Sequence, residues 1–301
     1  EAYALRVWGA TKLIKNATSL GGPETLIEHR RSSDAYDSPV PVNQLRLSIG
    51  LEDGDDLIAD LDAALAGRTS NRPMADATKM AQGLGWTSSD HKAVVLPLHL
   101  ASTYATDPAS YGKPYAYARD QNPTYEQPEA LIAELEEGEQ ARLFGSGMAA
   151  ASAVFQALKA GDHVVMQETL YWALRGLMAS VVEGWGIEVT WFPTGDLDAL
   201  QEAVRPGETR IVWLETPANP TMTVTDIAAA TAIAREAGAV SVVDNTFATP
   251  LHCRPLTLGA DIVMHSATKY LNGHSDIVAG VLIARETTPF WEHVCHIRHM
   301  T

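Results

Sequence analysis

Two stretches, Val240-Ser-Val-Val-Asp244 and Asp261-Ile-Val-Met-His-Ser-Ala-Thr-Lys-Tyr-Leu-Asn-Gly-His274, decide how this chain folds. Each opens on a short apolar run rich in Val and Ile and closes on polar residues, the pattern of a strand buried on both faces. Working outward, strands are expected at His163–Gln167, Glu188–Phe192, Arg210–Glu215, Val240–Asp244, Asp261–His265 and Gly280–Ala284. Helical stretches at Met148–Leu158, Tyr171–Val182, Leu197–Val204 and Asp226–Glu236 alternate with them. That alternation predicts an α/β fold with a doubly wound, mostly parallel sheet. Ligands of such sheets sit beyond the carboxyl ends of the strands. Glu215, Asp244 and the loop carrying Lys269 all lie at or just past such ends, so one cleft can collect them.

The residue types at these ends suit pyridoxal phosphate (PLP). That cofactor needs an amine for its aldehyde, a carboxylate for its ring nitrogen and short donors for its phosphate. A lone lysine after a strand is ordinarily a surface residue. Ser266 and Thr268 beside Lys269 change that reading, because two hydroxyls can bond a phosphate while the amine points at the aldehyde carbon. Asp244 could simply cap the turn through Asn245 and Thr246. Closing a buried strand next to such a lysine, it is better read as the carboxylate that keeps the ring nitrogen protonated. Gly145-Ser146-Gly147-Met148 opens an Ala-rich helix, and the free N–H groups of a helix start favour a phosphate. Tyr171, at another helix start, can stack on the cofactor ring or relay a proton.

The composition sets bounds. With 46% hydrophobic and 20% charged residues, the 301-residue chain can bury a substantial core. Its formal charge of −15 argues against nucleic acid and anionic membranes as partners. Cys253 and Cys295 stand far apart, outside metal-type spacing, and read as free thiols of a reducing compartment. No apolar run reaches membrane-spanning length, so a cytoplasmic location is expected. His293, His296 and His299 recur on one helix without a carboxylate or Cys in a familiar spacing, so they read as surface histidines and no metal is expected. The acidic run Glu134-Leu-Glu-Glu-Gly-Glu139 reads as a solvated helix end.

Ordered along the chain, Tyr117-Ala-Arg119-Asp-Gln-Asn122-Pro-Thr124, Ser146-Gly147-Met148-Ala149, Glu215-Thr-Pro-Ala-Asn219-Pro220, Val243-Asp244-Asn245-Thr246 and Ser266-Ala-Thr268-Lys269-Tyr270 resemble the motifs of the Cys/Met-metabolism PLP-dependent family. These are the transsulfuration enzymes, among them cystathionine γ-synthase, the cystathionine lyases and methionine γ-lyase. The resemblance implies the PLP-dependent transferase fold (fold type I). It implies elimination or replacement at Cβ or Cγ of a sulfur-containing or O-acylated amino acid, with γ chemistry as the first expectation and β-lyase chemistry as the alternative. It assigns Lys269 to the cofactor aldehyde and to proton shuttling, Asp244 to the ring nitrogen, Tyr171 to stacking, and Asn219 to the neighbourhood of the phenolic oxygen. Ser266, Thr268 and the amides of Gly147 and Met148 would hold the phosphate. Tyr117 and Arg119 would reach a neighbouring subunit's site, which implies a homo-oligomer, a tetramer of two active dimers. Trp172-Ala173-Leu174 after Tyr171 departs from the family pattern and points to a different pocket wall.

The first part of the chain resembles the end of the same family's carboxy-terminal domain. Thr18-Ser19-Leu20-Gly21-Gly22-Pro-Glu24-Thr-Leu-Ile-Glu28-His29 matches its substrate-binding loop, and Leu45-Arg46-Leu47-Ser48-Ile49-Gly50-Leu51-Glu52-Asp53 its penultimate element. The resemblance gives Arg46 and Ser19 to the substrate α-carboxylate. A planar Arg fork grips a carboxylate with two parallel bonds. The expected organisation is a partial small α/β domain over residues 1–67, a linker or arm over 68–92 and a large PLP-binding domain over 93–301. The family's ending thus precedes its beginning, as at a junction between tandem copies or in a circular permutant. A truncated or rearranged PLP-binding chain without turnover is the other class of reading.

Overall fold

The computed structural model describes residues 1–33, 39–110 and 115–301. The chain forms two compact units, Glu1–Leu100 and Ala101–Thr301.

The first unit runs α1 (Ala2–Ala10), β1 (Lys15–Asn16), β2 (Leu26–His29), α2 (Arg30–Ser33), β3 (Leu45–Ser48), α3 (Gly54–Leu65) and α4 (Asp76–Gln82). β2 is central, parallel to β1 and antiparallel to β3. Ile14, Ile27 and Leu57 are buried at its core, with Trp8, Leu45 and Leu61 packed against them. Asp53 starts α3 by accepting the N–H groups of Asp55 and Asp56, the usual work of an N-cap carboxylate. Buried Asp60 accepts the N–H groups of Lys12, Leu13 and Ile14 and so pins the α1–β1 turn to α3.

The stretch 68–92, expected to be a linker, carries α4. Its fold is set by Asp56, which accepts from the Arg72 guanidinium, the Ala75 N–H and the Thr78 hydroxyl. A helix anchored by polar bonds to another helix needs no apolar stripe, and periodicity therefore does not report it.

The second unit contains α5 (Pro123–Glu136), β4 (Gln140–Phe144), α6 (Gly147–Gln156), β5 (His163–Gln167), α7 (Trp172–Leu177), β6 (Glu188–Phe192) and α8 (Leu197–Ala203). It continues with β7 (Thr209–Glu215), α9 (Ile227–Ala237), β8 (Val240–Asp244), α10 (Thr249–His252), β9 (Ile262–His265), β10 (Gly280–Ala284) and α11 (Pro289–Met300). The sheet order is β4-β10-β9-β8-β7-β5-β6, and β10 alone runs against its neighbours. The carboxyl ends of β4, β5, β7, β8 and β9 therefore share one rim.

Both faces of this sheet are covered, as the Val/Ile-rich strands require. Along β7, Val212 and Leu214 join the core under α8 and α9, while Ile211 and Trp213 join the core with Phe155 of α6 and Trp291 of α11. Period-two alternation thus feeds two apolar layers.

Boundaries differ from the sequence reading in small, explicable ways. Tyr171 is the N-cap of α7 rather than its first turn, and the helical path continues through a π-turn at Met178–Val182. The acidic run 134–139 does end a helix, and Glu134, Glu137 and Glu139 are exposed there as expected, but Glu136 is not. Glu136 is fully buried, and its Oε1 meets His265 Nε2 at 2.5 Å and accepts from Asn245 Nδ2 at 2.9 Å. The periodicity of charge could not separate this carboxylate from its exposed neighbours.

Candidate functional site

The second unit brings most of the expected residues to the common rim. Asp244 ends β8 and pairs in register with Glu215 of β7 on one side and Met264 of β9 on the other. Its Oδ1 accepts the Thr246 N–H at 3.0 Å and the Thr246 hydroxyl at 2.5 Å, so the capping role and the site position coexist. Among the described residues no cationic side chain is paired with it. Burial pushes its pKa up, against the Thr246 bonds and the charge of His265, which pull it down. A carboxylate kept dry in this way is complementary to a cation supplied from outside the chain.

Lys269 follows β9 in the loop opened by Ser266, and its side chain is exposed. The loop is shut at its neck by paired bonds. Thr268 N–H and Oγ1 both donate to Ala279 O, and Ala279 N–H returns to Thr268 Oγ1. The Thr268 hydroxyl proton is thereby used on backbone, so in this arrangement Thr268 braces the lysine loop rather than offering a donor to a phosphate. Ser266 keeps its hydroxyl free of protein partners among the described residues, while its N–H donates to Thr246 Oγ1 at 2.7 Å.

Ser266 abuts the start of α6. A Cβ on Gly147 would lie 2.9 Å from Ser266 Cβ and 3.0 Å from its Oγ, so only glycine lets the two segments touch. Ser146 caps the helix through Ala149 N–H, and its carbonyl takes Ala150 N–H. The N–H groups of Gly147 and Met148 have no protein acceptor among the described residues, as the first turn of a helix dictates. Two unpartnered amides and a free hydroxyl are thus brought close together where the missing side chain lets the segments touch. This is a cradle for an anion.

Tyr171 and Asn219 border the same rim from β5 and β7, both with exposed side chains. Their backbones are tied to one carboxylate. Glu215 Oε2 accepts Tyr171 N–H at 2.7 Å, and Oε1 accepts Asn219 N–H at 2.8 Å. Sequence reasoning placed Glu215 at the strand end but gave it no task. The signal was the same as for Asp244, an acid closing a buried strand. Burial and the neighbouring Asp244 raise the Glu215 pKa to about 7.

Tyr117 and Arg119 stand apart as a stacked pair, the guanidinium 5.0 Å from the ring centroid and its Nε donating to His299 O. His293, His296 and His299 are exposed and stack in a row, and among the described residues no group of His, Cys, Asp or Glu could hold a metal. No helix of the described residues is long and apolar enough to cross a membrane.

In the first unit, Arg46 Nη2 meets Glu28 Oε2 at 2.5 Å and donates to Ser19 O at 2.9 Å. Ser19 holds a left-handed backbone (φ 94°), and its carbonyl rather than its hydroxyl meets the arginine. Burial alone would raise the Glu28 pKa, but Ser33, Arg30, Arg46 and Thr18 together hold it below the ordinary value. The bond to Glu28 fixes one edge of the guanidinium and leaves Nε and Nη1 without protein partners among the described residues. Glu28 was not singled out in the sequence, since nothing local distinguishes it from a surface acid.

A buried, unpaired carboxylate, an anion cradle and an amine on the adjoining loop define a PLP-type site on an α/β sheet. The chain belongs to the Cys/Met metabolism PLP-dependent enzyme family, whose sequence profile matches residues 2–66 and 77–300. It is 44% identical over 201 residues to the cystathionine γ-lyase of Bacillus subtilis (strain 168), covering 66% of this chain and 53% of that protein. To the cystathionine β-lyase of Coxiella burnetii (strain RSA 493 / Nine Mile phase I) it is 40% identical over 208 residues, 69% of this chain and 54% of that one. The crystal structure of cystathionine γ-lyase from Lactobacillus plantarum complexed with L-serine superposes with a TM-score of 0.67 at 38% identity, covering 71% of this chain and 55% of the other. The fold is therefore the PLP-dependent transferase fold of type I. The chain spans about half the length of the curated relatives it matches.

Proposed function

We propose that this chain is a PLP-dependent enzyme of sulfur amino acid metabolism that eliminates or replaces the group at Cβ or Cγ of a sulfur-containing or O-acylated amino acid. The observation that carries the reading is Asp244, a buried carboxylate without a cationic partner among the described residues, on the strand next to the one that launches Lys269. PLP bound there supplies an electron sink to the carbon bearing the substrate's amino group.

The chain's own residues do the rest. Lys269 Nζ would hold the cofactor's aldehyde carbon and, once the substrate's amine has taken its place there, would be free to take and return the proton of the α-carbon. Asp244 holds the proton on the ring nitrogen through a charge-assisted bond. Gly147 and Met148 N–H and the Ser266 hydroxyl bind the phosphate, with Thr268 fixing the neck of the lysine loop. Tyr171 covers the ring face, and its hydroxyl hands a proton to the departing group. Asn219 bonds the ring's phenolic oxygen. Arg46 would bind the α-carboxylate through Nε or Nη1, with Glu28 and the Ser19 carbonyl orienting the guanidinium through Nη2. Residues 1–67 would act as the small substrate-carboxylate domain, 68–92 as the arm and 93–301 as the PLP-binding domain. Tyr117 and Arg119, exposed and stacked on one another, would serve the site of a second copy, making the working form a homo-oligomer.

Cystathionine γ-synthase- or γ-lyase-like chemistry is the first reading. A β-lyase-like enzyme is the alternative, favoured by the comparable identities to relatives named for γ- and β-lyase activity. The test is to add PLP to the purified chain, record the visible band of lysine-bound cofactor, and assay cystathionine and O-acylhomoserine. Colour with release or exchange of the side chain supports the proposal. Colour without turnover identifies a PLP-binding chain that does not catalyse, and no colour removes the reading altogether.

A further inference from the structure

Glu215 is a buried acid at the end of β7, and the roles given above leave it unused. Its two oxygens are both engaged, and by groups from different segments. One takes the N–H of Tyr171 at 2.7 Å and the other the N–H of Asn219 at 2.8 Å. The same strand end is laced from β5, where the Gln167 amide donates to Thr169 O at 2.6 Å and to Glu215 O at 2.7 Å. A single carboxylate therefore sets the backbone of the residue assigned to the ring face and of the residue assigned to the phenolic oxygen.

We propose that Glu215 is a positioning residue for the cofactor site, that its ionised form seats Tyr171 and Asn219 together, and that a cation arriving at the adjacent Asp244 favours that form. The inference rests on the reading that Tyr171 and Asn219 border PLP. The coupling follows from register. Asp244 pairs with Glu215 across neighbouring strands, which are about 4.8 Å apart, so the Asp244 charge disfavours ionisation of Glu215. A cation on Asp244 cancels that repulsion, and Glu215 releases its proton to solvent.

The surrounding charges are few. Asp244 faces Glu215 from β8, with His265 of β9 beyond it. Glu168 at the end of β5 is exposed, and Arg175 of α7 is turned onto the Glu168 carbonyl and the Trp191 ring. Without a bound cation, burial and Asp244 keep Glu215 protonated up to about 7.

Pyridoxamine 5′-phosphate is the probe, because it offers the ring and phosphate but no aldehyde, leaving Lys269 chemistry out of the measurement. Its dissociation constant is read by tryptophan fluorescence from about pH 4.5 to 8.5 for wild type, Glu215→Gln and Glu215→Asp. The ratio of variant to wild type cancels the ligand's own ionisation. Gln has the shape of protonated Glu but only one accepting oxygen, and charge-assisted bonds are roughly twice as strong as neutral ones. The ratio for Glu215→Gln is expected to be about 10- to 100-fold above pH 8 and to shrink towards about 1 below pH 6. Glu215→Asp, which keeps the charge, should recover part of the loss at high pH.

A ratio that is large but independent of pH, or near 1 throughout for both variants, overturns the proposal, since a scaffold role would not follow ionisation. Melting temperatures recorded alongside identify a variant that fails to fold, in which case the other variant decides. A wild-type chain that does not bind the probe refutes the PLP reading beneath the proposal, a different failure from a flat ratio.

Discussion

Gly280→Ala is expected to unseat the anion cradle from beneath. Gly280 opens β10, and a Cβ there would lie 2.2 Å from Ser146 O, 2.5 Å from Ser146 C and 2.8 Å from Gly147 Cα. All three atoms are backbone, so no side chain can rotate away, and the start of α6 must lift off the sheet. Overpacking of this kind costs about 1–3 kcal/mol, and a contact made wholly on backbone belongs at the upper end, near about 3 kcal/mol. For a unit of this size each kcal/mol moves the midpoint by ~2–4 °C, so a fall of ~6–12 °C is expected. Gly145→Ala on the same turn is the control, because its Cβ would meet nothing within 4 Å. Its effect should stay within about 0.5 kcal/mol. Calorimetry of the two variants measures the difference, and binding of pyridoxamine 5′-phosphate should weaken in Gly280→Ala as the helix amides move. A Gly280→Ala chain that melts with wild type, or that loses no more than Gly145→Ala, would refute the packing argument.

Three further outcomes follow from the site. Lys269→Ala should abolish the visible band of lysine-bound PLP while leaving the far-UV circular dichroism unchanged, because the side chain is exposed; retained colour would remove Lys269 from its role. His265→Leu strands Glu136 in a fully buried position and should cost about 3–5 kcal/mol by denaturant titration, against near-neutral values for His293→Leu on the exposed row. The raised pKa of Glu215 gives a signed pH effect. The folded chain holds that proton up to about 7 whereas the ordinary value is 4.5. Between those values the folded state binds more protons, so stability falls as pH rises through the window, by roughly 3 kcal/mol in all, and Glu215→Gln should flatten that slope in urea titrations across pH 4.5–8.

The strands of the second unit were legible because buried parallel strands leave continuous Val/Ile runs, and His163–Gln167, Glu188–Phe192, Val240–Asp244 and Gly280–Ala284 match to the residue. The direction of β10 was not legible, since antiparallel pairing with β4 and β9 leaves no mark on an all-apolar strand. Asp244 and the Lys269 loop stood out through the chemistry of residues close in sequence. Glu136 did not, nor did the tasks of Glu215 and Glu28, because partners distant in the chain or on the backbone decide them. The assignment of Thr268 illustrates the same limit. A hydroxyl two residues from another looks available on paper, yet Ala279 takes its proton once the loop closes.

That closure divides the lysine loop mechanically. The Thr268–Ala279 latch ties the two ends of the loop, the Lys269 backbone beside it is held by Lys269 N–H to Ser266 O and Gly273 N–H to Lys269 O, and His274 to Val278 form the exposed far arc of the same loop. Insertions, deletions or exchanges in this outer arc can remodel the neighbouring surface without tugging on Lys269. The fold thus offers a segment in which sequence can vary while the backbone of Lys269 stays anchored at its root.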